Sequence, residues 1–209
     1  MKPLRVVHHT EQSLIVLDLA LAEAQQLAQH LQASEVWIDV VQGLNSVAVF
    51  FDPCRVLPNE AEERLRTQIE QCAEKKARQP GKIIDLPVTY GGEVGPDLAL
   101  VAERAGFTES SIIDMHTDRI YNVAMLGFMP GFAYLDGLDE RLRQPRLTSP
   151  RMRVPAGSVA ISDGYTGVYP LQSPGGWLVL GRVQRPLVRR RPNPEFLLTA
   201  QARVRFRAV

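Results

Sequence analysis

The chain has 209 residues, of which 45% are hydrophobic and 22% are charged, and its net charge is +1. These values are ordinary for a globular protein and exclude a disordered or fibrous chain. No apolar run approaches the roughly 20 residues that span a bilayer. The N-terminus lacks the apolar core of a signal peptide, so we expect a cytoplasmic protein with no membrane contact.

The charge is divided unevenly along the chain. Residues 141–209 contain thirteen arginines and two acidic residues, whereas residues 1–140 contain 11 basic and 21 acidic residues. A basic lobe of this kind is expected to meet an anionic substrate, a phosphate, an acidic partner or the acidic half of the same protein. It lacks the lysine-rich, aromatic-interleaved pattern of nucleic-acid binding, so we expect no nucleic-acid partner.

The first 80 residues alternate between strand and helix patterns. Apolar spacing predicts a strand over 13–19, a helix over 21–31, a hairpin of strands over 36–41 and 47–51, and a helix capped by Asn59. This order is typical of a small α+β domain with a ferredoxin-like pattern, which we place at residues 1–80.

The pattern changes after Gly81. A strand over 83–90 is followed by a helix that Pro96 opens and Gly106 closes, by a short helix capped by Thr108, and by a strand over 120–128. Beyond this point the chain contains short strands and turns, with nine of its fifteen glycines between 127 and 181. We therefore predict a mainly-β barrel or sandwich domain over residues 81–209.

Few residues match a known chemical motif. The sequence contains no phosphate-binding GxxxxGK[ST] loop, no GxSxG turn and no metal-ligand spacing of histidines and cysteines, so we expect no metal site. His116 follows a short predicted helix and precedes the glycine-rich region. It is either a general acid or base, or a polar residue that ties a helix end to a loop.

Three segments between Gly127 and Arg182 are candidates for a binding site. The loop Gly127–Leu135 either lines a pocket or packs its aromatic rings into the core. Arg151 and Arg153 either bind a carboxylate or form surface charge. The segment Tyr169–Trp177 contains a glycine pair that permits close approach of a ligand. The later run Arg189–Arg191 is more typical of a solvated or partner-facing strand.

Several of these segments together resemble a known family. The matching stretches, in chain order, are Tyr90-Gly91-Gly92 with Gly95-Pro96-Asp97-Leu98, His116-Thr117, Gly127–Leu135, Arg153–Ile161, Thr166–Pro170, and Ser173–Trp177 with Gly181-Arg182. In these residues the chain is similar to the family that comprises allophanate hydrolase subunit 1, sporulation-kinase inhibitors and the B-type subunits of 5-oxoprolinase.

The resemblance implies a cyclophilin-like β-barrel for residues 81–209. It also implies a subunit of an ATP-dependent cyclic amide hydrolase that opens 5-oxoproline to glutamate, working with a related barrel subunit and a third subunit. The alternatives are a module that inhibits a sensor histidine kinase and a subunit of a urea or allophanate pathway. Whether this chain contacts ATP itself stays open.

Mapped onto this sequence, the resemblance suggests His116 as the catalytic residue. Arg153 is expected to hold the carboxylate of a small anionic substrate, and backbone N–H groups near Gly131 or Gly157 are expected to stabilise an oxyanion or acyl-phosphate. The expected substrate-binding residues are Pro130, Gly131, Tyr134, Arg153, Pro155, Gly157, Ser158, Tyr169, Ser173, Gly175, Gly176 and Trp177.

Overall fold

The computed structural model describes residues 4–73, 81–200 and 202–209. The chain divides into two compact units, Met1–Gln79 and Pro80–Val209. Within the described ranges, no helix has the length and apolar character needed to cross a membrane.

The first unit is a four-stranded antiparallel sheet with two helices. Its elements are β1 (Arg5–Thr10), β2 (Ser13–Leu17), α1 (Leu21–Gln32), β3 (Asp39–Gln42), β4 (Val47–Phe50) and α2 (Pro58–Ala73). The strand order in the sheet is β1-β2-β4-β3. Alternate residues of the central strands, such as Leu14 and Val49, join Leu27 of α1 and Leu65 of α2 in one buried core.

Two details of this unit differ from the sequence prediction. Strand β1 was not predicted, because its residues are mostly exposed and carry no apolar alternation. Helix α2 begins at Pro58, not after a cap at Asn59, since proline suits the first helical turn, where its missing N–H is not needed. The predicted end of this helix at Pro80 lies outside the described residues, and the ferredoxin-like pattern stays a prediction.

The second unit is built on a closed barrel, as predicted. Its strands and helices are β5 (Ile83–Tyr90), α3 (Leu98–Ala105), α4 (Glu109–Thr117), β6 (Tyr121–Leu126), β7 (Ala133–Asp136), β8 (Arg151–Val154), β9 (Ser158–Ser162), β10 (Tyr165–Val168), β11 (Ser173–Gly175), β12 (Leu178–Val183), β13 (Val188–Arg191), β14 (Asn193–Phe196) and β15 (Arg203–Ala208). The barrel order is β10-β7-β6-β15-β5-β12-β9, and the remaining strands form the pairs β11-β8 and β13-β14.

The interior of the barrel is filled by apolar side chains from all seven strands. Buried examples, one from each strand in chain order, are Leu86, Tyr121, Leu135, Ile161, Val168, Leu180 and Phe206. Helices α3 and α4 add Leu98, Val101 and Ile112 to the same core. Two-residue alternation sends the neighbouring side chains to the outer face, so each strand has one face in the core and one available for other uses.

The helix ends follow local chemistry. The Thr108 hydroxyl accepts a hydrogen bond from the Ser111 N–H at 3.2 Å, and Gly106 ends α3 at a φ of 74° that favours glycine, both as predicted. Pro96 does not open α3, because Asp97 follows it as the N-cap residue and the helix begins at Leu98.

Acidic residues of the barrel unit neutralise part of its arginine excess. The unit contains 16 basic and 12 acidic residues. The Asp85 carboxylate binds both Arg205 and Arg207, at 2.7 and 3.2 Å. The Arg141 guanidinium, with Arg119 beside it, holds the pKa of Asp139 well below its usual range. Part of the basic charge that we expected to meet an anion is therefore paired with acidic residues of this same unit.

Replacement of Gly181 by alanine tests the barrel packing. A Cβ at Gly181 would collide with the Thr89 carbonyl oxygen on the adjacent strand, so we expect Gly181→Ala to cost about 1–3 kcal/mol of unfolding free energy. The control Gly127→Ala meets its nearest atom at 3.6 Å and should stay within about 0.5 kcal/mol of wild type. Urea denaturation measures both, and equal stabilities would contradict the register.

Candidate functional site

Most of the predicted binding residues lie on or over the outer face of four adjacent barrel strands. Tyr134 pairs with Gly167, Gly167 pairs with Ala160, and Ala160 pairs with Val179. Directly opposed residues share a face of the sheet, so these four form one row across β7, β10, β9 and β12. Because the two central residues are small, the row forms a shallow floor.

Aromatic rings cover this floor. A Cβ at Gly167 would lie 3.0 Å from the Phe132 ring and 3.2 Å from the Trp177 ring, so both rings approach the strand backbone. The Trp177 ring packs edge-to-face on Phe132 and Tyr134, with centroids 5.4 Å apart in each case. Tyr169 packs on Phe132 at 5.2 Å. Edge-to-face contacts of this kind hold the cluster in one geometry.

The segment from Gly127 to Phe132 forms a tight turn beside these rings. The Gly127 N–H donates to the Phe132 carbonyl oxygen at 3.2 Å, and Phe128 and Gly131 both have positive φ values, of 69° and 81°. A left-handed conformation is rare for a bulky residue and marks a tight turn or a strained position, and strained positions cluster at functional sites. The Phe128 ring is 61% exposed and makes edge contacts with Phe132 and Tyr169.

Gly175 and Gly176, the two glycines that follow Pro174, have different roles. A Cβ at Gly175 would collide with the Tyr169 hydroxyl, so only glycine lets that hydroxyl lie against the backbone. Gly176 has no such constraint, because its nearest atom lies 3.6 Å away. Its carbonyl oxygen accepts a hydrogen bond from the Leu147 N–H at 2.7 Å. Burial raises the pKa of Tyr169 to about 12, so the hydroxyl stays protonated at neutral pH.

The two candidate arginines on β8 have different surroundings. Arg151 forms a two-pronged ion pair with the buried Asp97 at 2.6 and 2.9 Å, and Asp97 also accepts from the Val179 N–H at 2.7 Å. This pair fixes β8 to the end of the outer row and is unavailable to a ligand. Arg153, the residue predicted to hold a substrate carboxylate, is exposed.

Ser158 and Arg182 form a second pair on the same outer face. They are direct cross-strand partners on β9 and β12, two residues along β9 from Ala160. Ser158 is fully buried, yet its hydroxyl oxygen has no hydrogen-bond partner among the described residues, and neither has the buried Nε of Arg182. A buried polar group without a hydrogen bond lowers the folding stability by about 1–3 kcal/mol. Two such groups side by side therefore call for an explanation. Arg182 had no predicted role.

His116 lies on the opposite side of the sheet from these residues. Its ring enters the barrel interior from the end of α4, has no exposed surface, and stacks on Phe206 at 4.6 Å. Its Nδ1 is 2.7 Å from the Tyr90 hydroxyl and its Nε2 is 2.9 Å from the Thr166 hydroxyl. Thr166 neighbours Gly167, but alternation turns its side chain inward.

These hydrogen bonds define one proton arrangement. The Thr166 hydroxyl donates to the Ala160 carbonyl oxygen at 3.1 Å, so it accepts from His116 Nε2–H. The Tyr90 hydroxyl then donates to the unprotonated Nδ1. Burial lowers the pKa of His116 to about 3, so the ring is neutral at pH 7. This geometry favours the alternative in which His116 is a structural residue over its predicted role in proton transfer.

The remaining predicted residues occupy the edge of the site. Pro130 and Pro155 are exposed, and Ser173 is half-buried with its hydroxyl donating to the adjacent Pro174 carbonyl oxygen at 3.0 Å. Gly157 has a φ of 83° and lies beside Arg182. Among the described residues, no group of three or more histidine, cysteine, aspartate or glutamate side chains is arranged to hold a metal ion.

Comparison with known families and proteins gives a consistent result. Residues 8–198 match the model of the family described as carboxyltransferase domain, subdomain C and D. The chain is 40% identical to the B-type subunit of 5-oxoprolinase from Escherichia coli O157:H7, covering 87% of this chain and 82% of that protein. It is 42% identical to the corresponding 5-oxoprolinase subunit from Bacillus subtilis (strain 168), covering 82% of this chain and 67% of that protein.

Solved structures share the fold. TTHA0988 is 32% identical with a TM-score of 0.80, over 95% of this chain but only 40% of its own chain. The protein PH0987 from Pyrococcus horikoshii is 32% identical with a TM-score of 0.58, over 98% of this chain and 97% of its own. The Kluyveromyces lactis urea carboxylase, at 18% identity and a TM-score of 0.79, shows similarity of fold alone.

The burial of His116 predicts a specific pH dependence of stability. The unfolded imidazole binds a proton below pH 6.5, whereas the buried ring stays neutral down to about pH 3. Within this window the unfolded state binds more protons, so the His116 contribution lowers the unfolding free energy by about 1.4 kcal/mol per pH unit as pH falls. His116→Phe should remove this part of the slope in urea denaturation at a series of pH values.

A matched variant separates the charge effect from a general loss of packing. Tyr90→Phe removes one hydrogen bond of the ring but keeps the histidine, so its pH slope should remain that of wild type. An unchanged slope in His116→Phe would show that the ring protonates freely in the folded protein and would contradict the structural role.

Proposed function

The chain belongs to the family of carboxyltransferase domains, subdomain C and D, and from this membership we propose that it is the B-type subunit of a 5-oxoprolinase complex. The 5-oxoprolinase relatives span most of this chain, and three of them carry the same subunit name. The proposed reaction opens 5-oxoproline to glutamate at the expense of ATP. Opening breaks the lactam C–N bond, places a water oxygen on the carbonyl carbon and leaves the ring nitrogen as an amine.

The observation that carries the proposal is the layer of aromatic rings that covers the floor on the outer face of the barrel. 5-Oxoproline is a small five-membered ring with a planar lactam and one carboxylate. Over the buried residues Gly167 and Ala160, the half-buried rings of Trp177 and Tyr134 present apolar surface, and the exposed Phe128 lies beside them. A few polar groups placed at the edge of an apolar site are typical of small-molecule binding.

The geometry also suggests which part of substrate binding and catalysis belongs to this subunit. The rings over the floor belong to Phe132, Tyr134, Tyr169 and Trp177, and burial keeps the Tyr169 hydroxyl protonated at neutral pH, so it is no proton acceptor there. We infer that this chain orients the substrate and that a related barrel subunit and a third subunit complete the site. In this proposal the complex uses ATP, and no residue of this chain is assigned to it.

The enzyme subunit is favoured over the alternatives by the names of the relatives. None of the relatives compared above is described as a kinase inhibitor, and the urea carboxylase likeness concerns the fold alone. The cytoplasmic location stays a prediction from the sequence.

Reconstitution tests the proposal directly. The chain, the other oxoprolinase subunits, ATP and 5-oxoproline should together release glutamate, and omission of this chain should abolish the release. Glutamate release at an undiminished rate without the chain would contradict the proposal.

Gly175→Ala should impair this activity through Tyr169. The added Cβ would push the Tyr169 hydroxyl away from its position over the floor. We expect kcat/KM for 5-oxoproline to fall about tenfold, the equivalent of about 1.4 kcal/mol. Gly176→Ala, the adjacent change with room for its Cβ, should have a clearly smaller effect. Equal losses in the two variants would show that the Tyr169 position is not what matters.

A further inference from the structure

The Ser158–Arg182 pair lies at the end of the floor that the aromatic rings cover. Arg182 opposes Ser158, and the outer residues Ala160 and Val179 oppose each other farther along the same two strands. Directly opposed residues on adjacent strands have Cβ atoms about 5 Å apart and project from the same face. A hydroxyl and a guanidinium therefore leave the sheet side by side where the floor ends.

Both side chains have a buried polar atom without a partner in the described structure. The Ser158 residue is 0% exposed and its Oγ is unpaired, and Nε of Arg182 is buried and unpaired. Buried polar groups in folded proteins are normally hydrogen-bonded, and exceptions need a reason. Two donors that are unpaired and adjacent are the arrangement expected of a site that binds an acceptor.

A cavity of about 440 Å³ adjoins Arg182. Arg182 and Arg185 line it together with Gly157, Pro170 and Leu187, and no acidic residue is among the described residues that line it. Gly157 lies close against β12, because a Cβ there would be 2.8 Å from the Val183 carbonyl oxygen and 3.3 Å from the Arg182 side chain. A cavity with two cations and no anion favours a negatively charged occupant.

We propose that Arg182 and Ser158 bind an oxyanion, a carboxylate or a phosphate group, at this end of the floor. The guanidinium supplies N–H donors in a planar fork that matches either group, and the serine hydroxyl supplies one more. Under the proposed function, the oxyanion is the substrate carboxylate or a phosphoryl group. If the oxyanion is the carboxylate, Arg182 and not the exposed Arg153 holds it.

Calorimetric titration tests the site with three probes: 5-oxoproline, inorganic phosphate and the neutral lactam 2-pyrrolidinone. The titrations use the chain alone and in the assembled complex. We expect saturable binding of at least one anion and none of the neutral lactam, and the anion that binds identifies the source of the oxyanion. Arg182→Gln should weaken that binding at least about tenfold, and Arg182→Lys should recover part of it.

Two further variants act as controls. Arg104→Gln removes the same charge from an exposed position on α3 and should leave the affinity unchanged. Ser158→Ala removes an unpaired buried hydroxyl, so the free protein should keep or raise its melting temperature while anion affinity falls several-fold. A purely structural serine would show a lower melting temperature and unchanged affinity.

The result that overturns the proposal is the absence of saturable anion binding in both the chain and the complex, or equal affinity in wild type and Arg182→Gln. Its failure is distinguishable from that of the proposed function. Arg182-dependent anion binding in a complex that releases no glutamate would retain the site and refute the oxoprolinase, whereas normal release without such binding would do the reverse.

Discussion

Pairing of the C-terminal strand closes the barrel on which the rest of this unit depends. Strand β15 runs parallel to β5, from Arg203 opposite Ile83 to Ala208 opposite Val88, and its other edge pairs with β6. Without β15 the sheet would have two open edges, and residues such as Phe206 would leave the core. Closure fixes the register, and the register decides which side chains face inward and which face outward.

This division between faces separates structure from proposed chemistry along single strands. On β10, Thr166 faces inward and bonds His116, whereas its neighbour Gly167 faces outward and supports the rings of Phe132 and Trp177. The inner face is closed, apolar and neutral. The outer face combines a layer of aromatic rings, in which Trp177 and Tyr134 are half-buried, with a guanidinium whose Nε has no partner in the described structure, and a small cyclic anion could use both features.

Local chemistry explains what the sequence could predict. Gly106 and Thr108 mark helix ends because their effects depend on adjacent residues alone. The glycines between 127 and 181 predicted turns and close backbone approaches, and the structure has these at positions such as Gly131 and Gly175. Strand β1 was not predicted, because an exposed edge strand needs no apolar pattern.

The assignment of individual side chains could not be predicted, because it depends on register. Regular alternation from Leu178 would place Arg182 inside the barrel, but the pairing with β9 shifts between Val179 and Gly181 and turns it outward. In the same way, nothing near His116 in the sequence shows that Thr166 and Tyr90 would meet its ring inside the barrel. Arg153 is exposed on β8 whereas Arg182 is half-buried on β12, and the sequence around the two arginines does not show this difference.

The central claim is that the substrate lies on the outer face against Trp177. The chain has two tryptophans, and the other, Trp37, lies in the first unit, where its indole N–H donates to Gln68. In a complex assembled with the Trp37→Phe variant, Trp177 is this chain's remaining tryptophan. Its contribution to the fluorescence, obtained by subtracting that of a complex with Trp37→Phe and Trp177→Phe, should change saturably with 5-oxoproline at concentrations near its KM. An unchanged Trp177 signal while the complex releases glutamate would contradict the account.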